Sequence, residues 1–318
     1  MQDMSVTRRS FLKTSVVSAC GAATSSWSFA QGAAGGSPVL DRTGVALYTV
    51  RELMKDPAAT FKAIADLGYK YVEGELFPSL APAIKAAGLK QASAYAPTYL
   101  VTGNRQAWAT PGAGELLPES YTWQQAVDES KARGLEYMVV VYLQKAERGG
   151  GIDYYKTLAG KLDKAGEACK KAGLTLAYHP HAFEYEAISG VRPIDLMLKE
   201  TNPQHLTLEL DTFWASIAGQ DPVKMLETHK GRVPLVHLKD KAKGTPVQYD
   251  EGKVPKEAFK EIGNGEIDYT AFFELASAAG VKYLYVEQDY CVGSTPLDSL
   301  KTSYANIKKL AAPATARG

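Results

Sequence analysis

The sequence predicts a single α/β domain folded as a (β/α)8 barrel, and three observations predict it. Short β-branched or aromatic runs alternate eight times with longer helical stretches. Five of the helical stretches stop on a glycine just before the next run, the left-handed stop that feeds a short αβ loop. No GxGxxG follows the first run, as an open dinucleotide-binding sheet would require.

In order, GVALYT (44–49) precedes a helical pattern over 57–67 that ends at Gly68. YKYVE (69–73) leads to 79–87 and Gly88, LKQASAY (89–95) to 119–133 and Gly134, and LEYMVVVY (135–142) to 153–172 and Gly173. LTLAYH (174–179) precedes a helix over 193–200, and LTLELD (206–211) one over 221–230. VPLVHLK (233–239) precedes 268–279 and Gly280, and KYLYVE (282–287) precedes the closing helix over 296–311. Two connections are long, 96–118 and 240–267, and both follow strands. Loops in that position lie on the C-terminal face of a barrel, where active sites are built, so both are expected to roof a pocket.

The first 30 residues stand apart from the domain. TRRSFLK (7–13) and the uncharged stretch to Ala30 read as a twin-arginine export signal, with SFA (28–30) as a small-x-small cleavage site. This predicts a partnership with the twin-arginine export machinery and a periplasmic or otherwise exported protein. VSAC (17–20) offers a rival lipoprotein reading with Cys20 acylated, disfavoured by the short charge-free run before it. The expected organisation is a signal over 1–30, a linker over 31–42, the barrel over 43–311 and a tail over 312–318.

Lysine and arginine total 36 against 35 acidic residues, a balance that gives no electrostatic reason to expect a nucleic acid or an anionic membrane surface as partner. No apolar run beyond the signal approaches the ~20 residues that span a bilayer. Beyond Cys20 the chain has Cys169 and Cys291, which could pair outside the cytosol if the fold brought them together. Association into a homo-oligomer is left open.

Only five histidines are present, and two of them fall in HPHAFEYE (179–186). Strand-like runs five to eight end in His179, Asp211, His237 and Glu287, so four neighbouring strands each deliver one nitrogen or oxygen ligand to the same rim. That set suits one divalent ion, Mn, Zn, Co or Fe, better than the oxygen-seeking Mg. Lys239, two residues beyond His237, shares its side of the strand and is a candidate catalytic donor to a substrate oxygen. Glu184 is the candidate proton-transfer carboxylate, and Glu287 is a candidate for both ligand and base. Tyr48, Glu73, Tyr95, Phe213 and Trp214 are candidate pocket walls. His181 and Asp240 are candidate substrate or ligand-orienting groups, whereas His205 and His229 lie away from strand ends and are expected at the surface.

Together with LELDTFWASIAGQDP, VPLVHLKD and GNGEIDYTAFF, these residues resemble the xylose isomerase-like TIM-barrel superfamily of sugar phosphate isomerases and epimerases, over about 43–311. That superfamily includes ketose 3-epimerases and inosose dehydratase. The resemblance implies one divalent ion held by Glu, Asp, His and Glu from strands five to eight, which here are position 179, Asp211, His237 and Glu287. This chain departs from the pattern with His179 where many relatives carry Glu, giving a neutral rather than a negative site; alternatively Glu184 or His181 turns inward as the strand-five ligand.

The resemblance also implies a small carbohydrate substrate and chemistry through an enediolate, formed when a carboxylate removes a proton next to a carbonyl. Export favours a non-phosphorylated sugar, and elimination of the aglycone from a 3-keto-glycoside is the leading expectation. Isomerisation or epimerisation of a free sugar is the alternative. A noncatalytic carbohydrate-binding protein is the rival from another class, and it would have no use for four convergent ligands.

Overall fold

The computed structural model describes residues 38–76, 78–109 and 116–312. The export segment, most of the linker and the tail from 313 lie outside the described residues. Among the described residues ten strands follow in chain order: β1 (Thr43–Ala46), β2 (Tyr71–Glu75), β3 (Ser93–Tyr95), β4 (Tyr137–Val140), β5 (Thr175–Tyr178), β6 (Leu206–Asp211), β7 (Leu235–Leu238), β8 (Asp240–Lys241), β9 (Phe259–Lys260) and β10 (Tyr283–Val286). Eight of them close a parallel barrel in the order β1-β10-β7-β6-β5-β4-β3-β2, as the alternation predicted. β8 and β9 form a separate antiparallel pair inside the 240–267 connection.

Strand parity divides the core in two. Ala46, Tyr137, Val139, Ala177, Leu235 and Tyr285 point into the barrel and form its inner cluster. Their neighbours in sequence, among them Val45, Met138, Leu176, Tyr178 and Val236, point outward into the layer shared with the helices. The register pairs Ala46 with Glu73, Asp211 with His237, and His237 with Tyr285, so the polar residues of these strands share the inward face.

The helices start where capping chemistry permits. Asp56, Asp221 and Thr295 each accept a backbone N–H of the following turn, and each is followed by a proline. This cap-then-proline pattern opens α1 (Pro57–Asp66), α9 (Pro222–Thr228) and α11 (Pro296–Leu310). The predicted 119–133 helix is shorter, α5 (Trp123–Ala132), because Thr122 and Gln125 form a capping box at its start. The long α6 (Gly151–Ala172) buries Tyr155, Leu158, Leu162 and Cys169 along one stripe and ends at Gly173, φ 84°. A Cβ at Gly166 would collide with the His205 carbonyl, so Gly166→Ala is the smallest change that would push α6 off its neighbours. α7 (Pro193–Glu200) and α10 (Tyr269–Ala279) lie within the predicted spans, and α2 (Ala81–Ala86) is shorter than its own.

Three local expectations change. GVALYT does not continue as a strand: residues Leu47–Leu53 form a 3-10 helix after β1. The 96–118 connection contains α3 (Thr98–Thr102) and α4 (Arg105–Trp108), and a further helix, α8 (Thr212–Ile217), starts directly at the end of β6. Cys169 and Cys291 do not pair: both thiols are free, and Cys169 is packed under β4 with its sulfur 3.7 Å from that of Met138.

Candidate functional site

The four strand-end residues meet at the C-terminal mouth. In β5, Ala177 faces inward and Tyr178 outward, so parity turns His179 inward, and its N–H extends the ladder to the Val140 carbonyl (2.9 Å). His179 Nε2 lies 3.8 Å from Asp211 Oδ2, and His237 Nδ1 lies 4.0 Å from the same oxygen and 3.2 Å from Glu287 Oε2. Asp211 is held by its position as the cap of α8, where Oδ1 accepts the Trp214 N–H at 2.8 Å and leaves Oδ2 free to face the imidazoles. The ligand atoms of His179, Asp211 and His237 all lie within 4.8 Å of one another.

A second polar layer sits one step deeper, and the sequence reading missed most of it. Glu209, two residues before Asp211 on the same face of β6, approaches His179 Nδ1 at 2.9 Å. Glu73 approaches His237 Nε2 at 2.7 Å and accepts from the Ser93 hydroxyl, whose oxygen in turn accepts from the Tyr285 hydroxyl at 2.8 Å. Each imidazole is therefore engaged on one nitrogen from below and turns the other toward Asp211. This is the outer-sphere support that fixes ring orientation at metal sites.

Lys239 completes the mouth. It is 0% exposed, with Nζ 3.2 Å from Asp211 Oδ2 and 2.6 Å from both Glu287 Oε2 and Asp289 Oδ2. Its ammonium also lies 5.3 Å above the Trp214 ring. Asp289, two residues beyond Glu287, is a further carboxylate that the sequence reading passed over.

The xylose isomerase-like TIM-barrel family matches residues 61–310. The chain belongs to that family. Among curated relatives, inosose dehydratase of Geobacillus thermodenitrificans is 30% identical over 142 residues, which are 42% of this chain and 47% of the relative. The chain thus aligns with about half the length of the curated relatives it matches. The same fold is seen in a sugar phosphate isomerase/epimerase from Parabacteroides distasonis, with TM-score 0.66, 24% identity and coverage of 88% and 97% of the two chains. It is seen again in IOLI protein with a binding zinc atom, with TM-score 0.60, 14% identity and coverage of 85% and 98%.

The family fold implies a divalent ion, and the side chains at this mouth fit one. Asp211 Oδ2 and Glu209 Oε1 are buried and accept no hydrogen bond, and the donors are imidazole nitrogens and carboxylate oxygens in the proportion that Zn, Mn, Co or Fe accept. Burial holds His179 and His181 well below the ordinary imidazole range, leaving both rings neutral at pH 7. At His237 burial opposes charge, but the carboxylates of Glu209 and Glu287 outweigh it and raise the ring well above that range. Burial and the adjacent Glu73 carboxylate push Glu209 well above the carboxylate range. Glu287 moves the other way, because Lys239 and His237 outweigh its burial, while burial lifts Asp289 to about 6.

The structure places Glu184 outside this constellation. It sits in a 3-10 turn, Ala182–Tyr185, with Oε1 accepting from the outward-facing Tyr178 hydroxyl at 2.6 Å and Oε2 from the His181 N–H at 2.9 Å. Both oxygens fasten the turn, so the proton-transfer role expected of Glu184 has no geometric support. Asp240 likewise turns away from the mouth. Its carboxylate accepts the N–H groups of Gly263, Gly265 and Ile267 (2.9, 2.9 and 3.2 Å) and so folds GNGEI against β8. A Cβ on Gly265 would strike that carboxylate.

The other candidates divide by depth. His181 is partly exposed, its ring 5.0 Å from that of His179 and 5.2 Å from that of Trp214, and its Nδ1 has no hydrogen-bond partner. Tyr95 lies 6.4 Å from the His237 ring, and Tyr48 is 47% exposed beneath the Arg51 guanidinium. Phe213 is fully buried, stacked on Phe259 at 4.1 Å, and belongs to the packing behind Trp214. His205 bonds Asp163 at 3.2 Å away from the mouth.

Proposed function

We propose that the protein is a divalent-metal-dependent carbohydrate lyase that eliminates the aglycone from 3-keto-glycosides. The observation that carries this reading is the convergence of His179, Asp211, His237 and Glu287 beside the neutral, partly exposed imidazole of His181. A divalent ion, when bound there, supplies Lewis-acid charge next to a substrate carbonyl.

The chain's own groups supply the rest. His181, whose buried Nδ1 has no hydrogen-bond partner beside the His179 ring, takes the C2 proton that the C3 ketone acidifies. The C2–H electrons form the C1=C2 bond, the C1–O bond breaks, and the departing aglycone oxygen takes up a proton. Tyr95 and Trp214 wall the ring, and Lys239 donates to a substrate oxygen. Curated relatives named as dehydratases support an elimination. Carboxylates of Asp211, Glu287 and Asp289 around the mouth, with Lys239 tied to all three, give a phosphorylated sugar little to bind. Export through residues 1–30 fits the same preference, and a reporter fused behind residues 1–35 checks it: retention in the cytoplasm removes that support.

The test is incubation with free sugars, glycosides and 3-keto-glycosides in D₂O, followed by NMR. Release of aglycone from the 3-keto-glycoside with an unsaturated sugar product is expected. Deuterium exchange into a free ketose with no elimination would replace the lyase by an isomerase or epimerase.

A further inference from the structure

We propose that the Lys239 ammonium is a built-in placeholder for the divalent ion: it neutralises Asp211 and Glu287 in the metal-free protein and is displaced onto Asp289 when the ion binds. The inference rests on the metal site of the preceding section and adds what this chain's own lysine does there.

The shared atoms carry it. Lys239 Nζ contacts Asp211 Oδ2 at 3.2 Å and Glu287 Oε2 at 2.6 Å. These are the same two oxygens that face His179 Nε2 and His237 Nδ1 at 3.2–4.0 Å. An ion bound to those nitrogens and oxygens, each about 2.0–2.2 Å away, would stand next to the ammonium with like charge. An ammonium and a divalent ion drawn to the same two oxygens repel each other and compete for their charge.

A retreat is also built in. Asp289 Oδ2 lies 2.6 Å from Nζ, and the Trp214 ring lies beneath the ammonium, 5.3 Å away. Asp289 is the more exposed of the three carboxylates, its side chain 14% exposed against 8% for Glu287 and 0% for Asp211. The lysine backbone cannot follow, because its N–H is held by the Thr212 and Tyr269 hydroxyls at 3.0 and 3.1 Å. The movement is therefore one of the flexible side chain alone, away from the ligands and toward the more exposed Asp289. Ion binding then does two things at once: it fills the site and frees an ammonium for a substrate oxygen.

The experiment is titration of the metal-free, folded protein with Mn²⁺ and with Zn²⁺ by calorimetry. Lys239→Met should bind either ion about 10- to 100-fold more tightly than wild type, the scale of outer-sphere effects on metal sites. Asp289→Asn should bind more weakly, and most of that loss should vanish in the double variant. Unchanged or weaker binding by Lys239→Met overturns the placeholder while leaving the metal site standing. Absence of binding in wild type and Lys239→Met alike overturns both.

Because Lys239→Met leaves three carboxylates without a counter-charge, a second measurement uses the wild-type chain labelled with ¹⁵N at lysine Nζ. The Lys239 ammonium resonance should shift on saturation with diamagnetic Zn²⁺. A resonance that stays in place at saturation overturns the proposal independently of any variant.

Discussion

Glu209 and Asp211 stand two residues apart on the inward face of β6, both fully buried, and yet do different things. Asp211, at the strand end, divides its oxygens between the α8 cap and the imidazoles of His179 and His237. Glu209, one layer down, supports His179 from beneath, as Glu73 supports His237. In a barrel a single step of strand parity separates a group that meets the ligand from one that aims its neighbours. Depth along the strand, more than residue type, assigns the role.

Removing upper-layer groups should have the largest effect. Asp211→Asn keeps the Trp214 cap and His237→Ala removes a single ring from the top of the inner layer, so each should stay folded while losing metal by more than about 100-fold and with it the activity. Metal content by atomic absorption decides this, and full retention in both variants would dismiss the site. His181→Gln comes next: metal should be kept while turnover falls by about 10² to 10⁴, the usual worth of a general base. If metal and turnover fell together, His181 would belong with the ligands.

A smaller effect is expected from the lower layer. Glu209→Gln should weaken metal binding by about 10- to 100-fold, with most turnover recovered by excess metal. Loss that no amount of metal rescues would erase the distinction between the layers.

Glu184→Gln should have the smallest effect on turnover and a distinct effect on stability. Burial pushes the Glu184 carboxyl up to about 8 in the folded chain, against about 4.3 when unfolded. Between those values the folded state holds a proton that the unfolded state has lost, so wild-type stability falls as pH rises across the window and levels off above it. The Gln variant lacks this slope and should gain on wild type from about pH 4.3 to 8. Denaturation curves that run parallel across that range would contradict the assignment, and a large loss of turnover would return Glu184 to the chemistry.

Much of this site was legible because the informative residues end strands. His179, Asp211, His237 and Glu287 stand out at the ends of four apolar runs, and Gly173 and Gly280 mark where the preceding helices stop. Glu209 and Asp289 obey the same parity, each two residues from a recognised ligand, and counting in twos along LELD and VEQD would have found them. Glu184 misled for a related reason: beyond His179 the chain leaves the strand for a 3-10 turn, where alternation no longer predicts direction. The overrun of β1 had the same cause, since Leu47–Leu53 carries strand-forming residues into a 3-10 turn that pairs with no neighbour. In the 96–118 connection, TYLVT reads as strand by composition, but Pro97 before it and Gly103 after it (φ 75°) are helix boundaries.

The 240–267 segment is moored along one side of the mouth. Gln248 N–H reaches the Ile217 carbonyl at 2.9 Å, and Glu251 meets Arg148, beyond β4, at 2.9 Å, while the Arg148 guanidinium lies 3.4 Å from the centre of the Phe183 ring. Among the described residues this canopy runs from β4 round to β10, where the Phe259 ring meets that of Tyr290 at 5.4 Å. Beside β1, Tyr48 stays 47% exposed. Such lopsided shelter would sort molecules by silhouette: a ring seated on the ligands would keep its bulkier substituent on the Tyr48 side. Enlarging side chains there would exclude large guests and spare small ones without touching any group that moves a proton.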